Sequence, residues 1–187
     1  MTDTTAVAVE VIDDLLGAWS SRREFTFKPP RPKTLSQLGM VSGLSAHVFL
    51  TAAMLRPSIP DAMRPPHFLW IRSIWETTFT IIWVDQNPDA AQAVLNELSR
   101  NRGNIRDTMR KGSPGMAARA HQVAHADDPR IPTSLDAEAR SFQALLGDSL
   151  SAHDIYATYR MLSGSCHPGA QLVDNYITDE AESVGFA

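Results

Sequence analysis

His67-Phe68-Leu69-Trp70-Ile71-Arg72-Ser73-Ile74-Trp75-Glu76-Thr77-Thr78-Phe79-Thr80-Ile81-Ile82-Trp83-Val84-Asp85-Gln86 is the stretch that decides the fold. Wound at 3.6 residues per turn, it is apolar nearly all round, so as a helix it must be central in a bundle or span a membrane. Arg72 and Glu76 choose between the two. Each charge near the centre of a span costs roughly 2.5–3.5 kcal/mol, whereas four residues apart the two can pair on one helical face. The segment therefore reads as the central buried helix of a soluble bundle.

Working outward, Pro65 and Pro66 open this helix, and Asn87-Pro88-Asp89 stops it and starts the next. Upstream, Leu35 to Leu55 carries Leu38, Val41, Ser45, Val48, Ala52 and Leu55 on one stripe. In the same segment Gly39, Ser42, Gly43 and Ala46 are small enough to admit another helix closely, at some cost in helix propensity. Thr5 to Ser21 is a further amphipathic helix with Val7, Val11, Ile12, Leu15, Leu16 and Trp19. Between these two, residues 22–34 hold Pro29, Pro30 and Pro32 and read as a basic, extended linker.

Downstream, Ala90 to Arg110 is helical, and residues 111–133 are a loop or a short helix around Met116 to Ala126. Ser134 caps a helix running to Leu146, and a last helix covers Ser151 to Cys166 until Pro168 stops it. Residues 170–187 form an acidic tail without periodicity. No strand-like alternation and no repeat emerges. The expectation is an all-α, single-domain bundle of about five to seven helices with no sheet.

Composition sets the outer limits. The chain has 187 residues, 43% hydrophobic and 20% charged, with 17 basic against 21 acidic side chains and a net charge of −4. That excludes a uniformly basic nucleic-acid coat and a polybasic membrane-surface protein. One cysteine, Cys166, closes no internal disulfide, and Met1-Thr2-Asp3-Thr4-Thr5 does not begin a signal peptide. A cytoplasmic protein with no membrane partner is expected.

Chemistry has two candidate seats. The first is Tyr159-Arg160-Met161-Leu162-Ser163-Gly164-Ser165-Cys166-His167-Pro168. Seven residues make almost two turns, so Arg160 and His167 project from one side with Ser163 between them. A permanent guanidinium beside an imidazole that titrates near neutrality suits phosphate chemistry. The plainer reading is a solvated arginine and a histidine favoured by the helix C-terminal dipole. The second seat is Arg72 with Glu76, which in so apolar a helix need partners, either as a register-fixing ion pair or as part of a site.

Arg72-Ser73-x-x-Glu76 in a Trp-rich helix, followed by Tyr159-Arg160-x-Leu162-Ser163-x-x-x-His167-Pro168, resembles a family of uncharacterised bacterial all-helical proteins. The second motif also resembles the R-x(4–6)-H signature of HEPN domains, helical bundles found in toxins, phage-defence systems and RNA-processing effectors. That resemblance implies a metal-independent ribonuclease acting as a dimer. The ribose 2′-OH would attack the adjacent phosphodiester, with His167 deprotonating or positioning it and Arg160 stabilising the phosphoryl charge.

Other signals are weaker. Ten of the 17 basic residues fall in residues 22–33 and 100–111, and Arg102, Arg106 and Arg110, four apart, form a stripe that could track a phosphate backbone or simply be a solvated face. His121 and His125 lack a third metal ligand, Cys166 and His167 diverge by about 100°, and no motif asks for a cofactor or metal. Three readings follow. One is the HEPN-like ribonuclease or RNA-binding effector. Another is a non-catalytic module, a homodimer or the companion of a partner protein, with Arg72, Glu76, Tyr159 and His167 in a polar network. The third is a small-molecule pocket around Arg72, Glu76 and His167.

Overall fold

The computed structural model describes residues 3–21, 34–59, 65–124, 128–150, 152–164, 177–180 and 183–186. The proline-rich segment, His125, Cys166, His167 and most of the tail lie outside the described residues. Four long helices come first: α1 (Asp3–Ser20), α2 (Leu35–Leu55), α3 (Pro65–Gln86) and α4 (Ala90–Arg110). Shorter ones follow: α5 (Pro114–Arg119), α6 (Asp136–Arg140), α7 (Phe142–Ala144) and α8 (His153–Gly164). The packed body is an all-α bundle.

Local chemistry sets the boundaries. The Thr34 hydroxyl accepts the Gln37 backbone N–H at 3.1 Å, and the Gln37 side chain accepts the Thr34 N–H at 3.2 Å, closing a capping box at the start of α2. Gln37 then turns its amide inward, donating to the carbonyls of Val84 and Asn87 at 3.0 and 3.2 Å. This buried side chain ties the start of α2 to the end of α3. The two helices form the most extensive pairing in the fold.

The core gathers at one end. Trp83, Val84, Ala90, Ala91, Ala93, Leu145 and Leu146 are buried together where α3 ends, α4 begins and α7 runs on. Among the described side chains of α3 only Trp83 and Val84 are buried, and most of those upstream are half-buried. The expected central helix is thus central at its C-terminal end alone. The expected helix over Ser134 to Leu146 is broken at Ser141, whose extended backbone lets its hydroxyl accept the Ala144 N–H at 3.3 Å. Beyond α7 the chain widens into a π turn over Leu145–Ser149. Within residues 111–133 the helix begins earlier than expected, at Pro114, with a 3-10 turn over Ala120–Gln122.

Two short C-terminal segments follow the helices. Ile177–Glu180 and Ser183–Phe186 pair antiparallel, with Ile177 opposite Phe186 and Glu180 opposite Ser183. A two-stranded hairpin is marginal alone.

Much apolar surface is left uncovered. On α1, Ile12, Leu16 and Trp19 are half-buried and the Trp19 ring stacks on Phe49 of α2 at 4.4 Å, while Val7, Val11 and Leu15 are exposed. On α2, Leu50 and Met54 are 65% and 61% exposed. The 24-residue stretch Leu35–Ser58 is long and apolar enough to cross a membrane.

The position of the core sets a stability contrast. Leu146→Ala should lower the unfolding free energy by about 2–5 kcal/mol, while Ile105→Ala on the exposed side of α4 should change it by less than about 0.5 kcal/mol. Urea unfolding followed by circular dichroism measures both.

Candidate functional site

The site grows from a polar strip on an otherwise apolar α3. Arg72 and Glu76 sit one turn apart, and the Arg72 Nε and Nη2 donate to Glu76 Oε1 at 3.3 and 3.2 Å. Tyr159 of α8 completes the group. Its hydroxyl accepts from Arg72 Nη2 at 2.9 Å and donates to Glu76 Oε1. The guanidinium carbon also lies 5.2 Å from the centre of the Tyr159 ring, a cation–π arrangement. Phe142 and Tyr156 brace that ring at 4.6 and 5.8 Å.

The electrostatics follow from this packing. Burial pushes the Tyr159 hydroxyl above its ordinary value, its hydrogen bond to Glu76 pushes it further, and Ser163 one turn on pulls the other way. Burial works against the Arg72 charge, but Glu76 and Tyr159 outweigh it and raise the guanidinium pKa. Each polar group of the triad thus answers another. The arrangement joins α3 to α8.

The residues of the α8 motif part company. Tyr159 is buried and the Ser163 Oγ is buried on the same side, since four residues return a helix to within about 40° of its starting face. Arg160 is exposed. The Ser163 Oγ and the Arg160 side chain thus differ in exposure, and His167 lies outside the described residues.

Arg106 and Arg110 of the basic stripe of α4, and Arg100 beside it, are met by carboxylates. Glu97 accepts two hydrogen bonds from Arg100 at 2.7 and 2.6 Å and lies 3.8 Å from Arg140. Arg100 is the main reason the Glu97 carboxyl is held below its usual range. Asp107 is 3.6 Å from Arg106 and 3.4 Å from Arg110. A recess of about 340 Å³ is lined by Arg100, Arg106, Arg130, Asp107 and Asp128. Three guanidiniums and two carboxylates line it. Arg102 is half-buried beside a neighbouring recess that Asp128 also lines.

Two arrangements were not foreseen from the sequence. Asn96 of α4 is buried, and its amide donates to the Ile131 carbonyl and to Asp136 Oδ1 at 2.7 and 2.9 Å. Its oxygen accepts from the Ile131 N–H at 3.2 Å and from Gln92 at 3.0 Å. The side chain is fully satisfied and pins the 128–133 segment to α4. The Asn96 bond is also the main cause lowering the Asp136 carboxyl below its ordinary value. Separately, His47 Nε2 lies 3.0 Å from Ser73 Oγ, a bridge between α2 and α3. Among the described residues no group of three metal-ligating side chains forms.

No known family model, no curated protein and no solved structure matches the chain. What stands is an all-helical protein whose site must be read from its own geometry.

Tyr159 supplies a titration test. With its folded pKa raised above the unfolded value near 10, its contribution is fully present below pH 10 and declines as the pH rises further. Wild-type stability should therefore fall above pH 10, and Tyr159→Phe should show a shallower fall after losing about 1–3 kcal/mol at neutral pH. Asp136 gives the opposite sign. Its lowered pKa makes its contribution present above pH 4 and lost as the pH falls, a slope that Asp136→Asn removes. Denaturant midpoints across pH 2–11 measure both slopes.

Proposed function

We propose that this chain is a non-catalytic helical module that works by docking protein rather than by turning over a substrate. The observation that carries this reading is the contrast between spent polar groups and unspent apolar ones. Arg72, Glu76 and Tyr159 satisfy one another inside the subunit. Three arginines of α4 lie against carboxylates of the same helix, Arg100 on Glu97 and both Arg106 and Arg110 on Asp107. Uncharged Leu50 and Met54 face outward instead. Bare apolar surface of this kind marks an interaction site more often than a reaction centre.

A second reading, the HEPN-like ribonuclease or RNA-binding effector, draws on one specific observation. Arg160 is exposed on a helix whose orientation Tyr159 fixes. In that reading Arg160 steadies the phosphoryl charge while His167 handles the 2′-OH proton.

RNA decides between the two. The module leaves mixed-sequence RNA intact in the presence of a chelator, and Arg160→Ala behaves as wild type. Chelator-resistant cleavage that Arg160→Ala abolishes, with the unfolding midpoint unchanged, would establish the nuclease and end the docking reading.

A further inference from the structure

We propose that the recess between α4, α6 and the 128–133 segment binds a free acidic α-amino acid, glutamate or aspartate, through Arg130, Arg140 and Asp136. The recess has a volume of about 440 Å³, and Asn96, Glu97, Arg130, Pro132, Asp136 and Arg140 line it. That volume falls in the usual range of small-ligand sites. The amino acid is bound and released unchanged. This inference goes beyond the docking reading and does not rest on it.

A buried amide builds the walls. Asn96, only 5% exposed, holds Ile131 by both backbone groups, accepting its N–H at 3.2 Å and donating to its carbonyl at 2.7 Å. Arg130 and Pro132 flank that residue, so the chain carrying them is fixed at the rim of the recess. The same amide donates to Asp136 Oδ1 at 2.9 Å, and the Thr133 hydroxyl donates to that oxygen at 2.9 Å. One side chain thus sets the arginine-bearing segment and the carboxylate relative to each other. A site arranged in advance leaves less ordering to be done when the ligand arrives.

Unspent charge names the ligand. Both oxygens of Glu97 are taken by Arg100, at 2.7 and 2.6 Å. Arg140 comes no nearer to Glu97 than 3.8 Å, too far for a hydrogen bond. Arg130 makes no side-chain hydrogen bond or ion pair with another described residue. The bonds that Asp136 accepts from Asn96 and Thr133 both fall on Oδ1, which leaves Oδ2 as its acceptor for a ligand. With Arg100 and Glu97 cancelling, two guanidiniums and one carboxylate remain. The complementary small molecule carries two carboxylates and one ammonium, the charge pattern of an acidic amino acid. Each guanidinium takes one carboxylate through charge-assisted N–H donors, and Asp136 Oδ2 accepts from the ammonium.

Isothermal titration calorimetry of the full chain in low-salt buffer, with L-glutamate and L-aspartate as probes, tests this. At least one of them should bind at a single site with a Kd of about 1 mM or tighter. Its side-chain amide, its α-amide and the diacid without the amine each lack one of the three charges and should bind at least tenfold more weakly. Arg130→Gln and Arg140→Gln should each weaken binding at least tenfold without lowering the unfolding midpoint. Arg160→Gln, which removes an equal charge from α8, should bind as wild type. No binding of either amino acid at about 10 mM overturns the proposal. So does binding that either recess variant leaves intact, or that Arg160→Gln weakens equally. A diacid or inorganic phosphate that binds as tightly as the amino acid also overturns it, because the recess then reads anions alone. The two claims separate cleanly. A failed titration leaves the docking reading standing, whereas RNA cleavage lost in Arg160→Ala ends that reading without touching this site.

Discussion

The Tyr159 hydroxyl is the joint on which the arrangement of this protein depends. It accepts from Arg72 and donates to Glu76, so two charges carried on an apolar helix meet both each other and a third group from a distant part of the chain. Without it, α3 would carry a half-satisfied ion pair at its junction with α8, an expensive condition in a partly dry environment. The joint also sets the rotation of α8. Tyr159 and Ser163 turn inward together, and Arg160 is turned out.

That economy of polar groups shapes the functional reading. Asn96 spends its amide on Ile131 and Asp136, and Gln37 spends its own on Val84 and Asn87. Of the arginines of α4, suggestive of a phosphate track in the sequence, Arg100 pairs with Glu97, and Arg106 and Arg110 share Asp107. Paired guanidiniums attract a polyanion less than bare ones, since affinity for a phosphate backbone grows with the net number of charges neutralised. Exposed apolar side chains are plentiful beside them, Val7, Val11 and Leu15 on α1 and Leu50 and Met54 on α2 among them.

The sequence made much of this legible, unevenly. The four-residue spacing of Arg72 and Glu76 already implied a pair, and prolines marked the beginning of α3. Tyr159 stood out in its motif, but its meeting with residues 83 and 87 positions earlier depends on how α8 packs, which no local pattern encodes. Ser163 lies one turn from both Tyr159 and Arg160, and only the packing of α8 buries its hydroxyl with the former. The break at Ser141 was hidden because the apolar residues around it keep a helical rhythm while the serine caps a new start. His47 and Ser73 were overlooked for a different reason. They stand on separate helices, and only the pairing of α2 with α3 brings them within 3.0 Å. The burial of α3 was overestimated because an all-round apolar helix reads the same whether its own fold or another molecule covers it.

The most direct test of the account is a double-mutant cycle between α3 and α8, using Glu76→Gln and Tyr159→Phe in urea unfolding at pH 7. If the hydroxyl joins the helices as described, the two losses are strongly non-additive, with a coupling of about 1–3 kcal/mol. Losses that simply add would mean that Tyr159 and Glu76 act independently, and the joint on which the account rests would not exist.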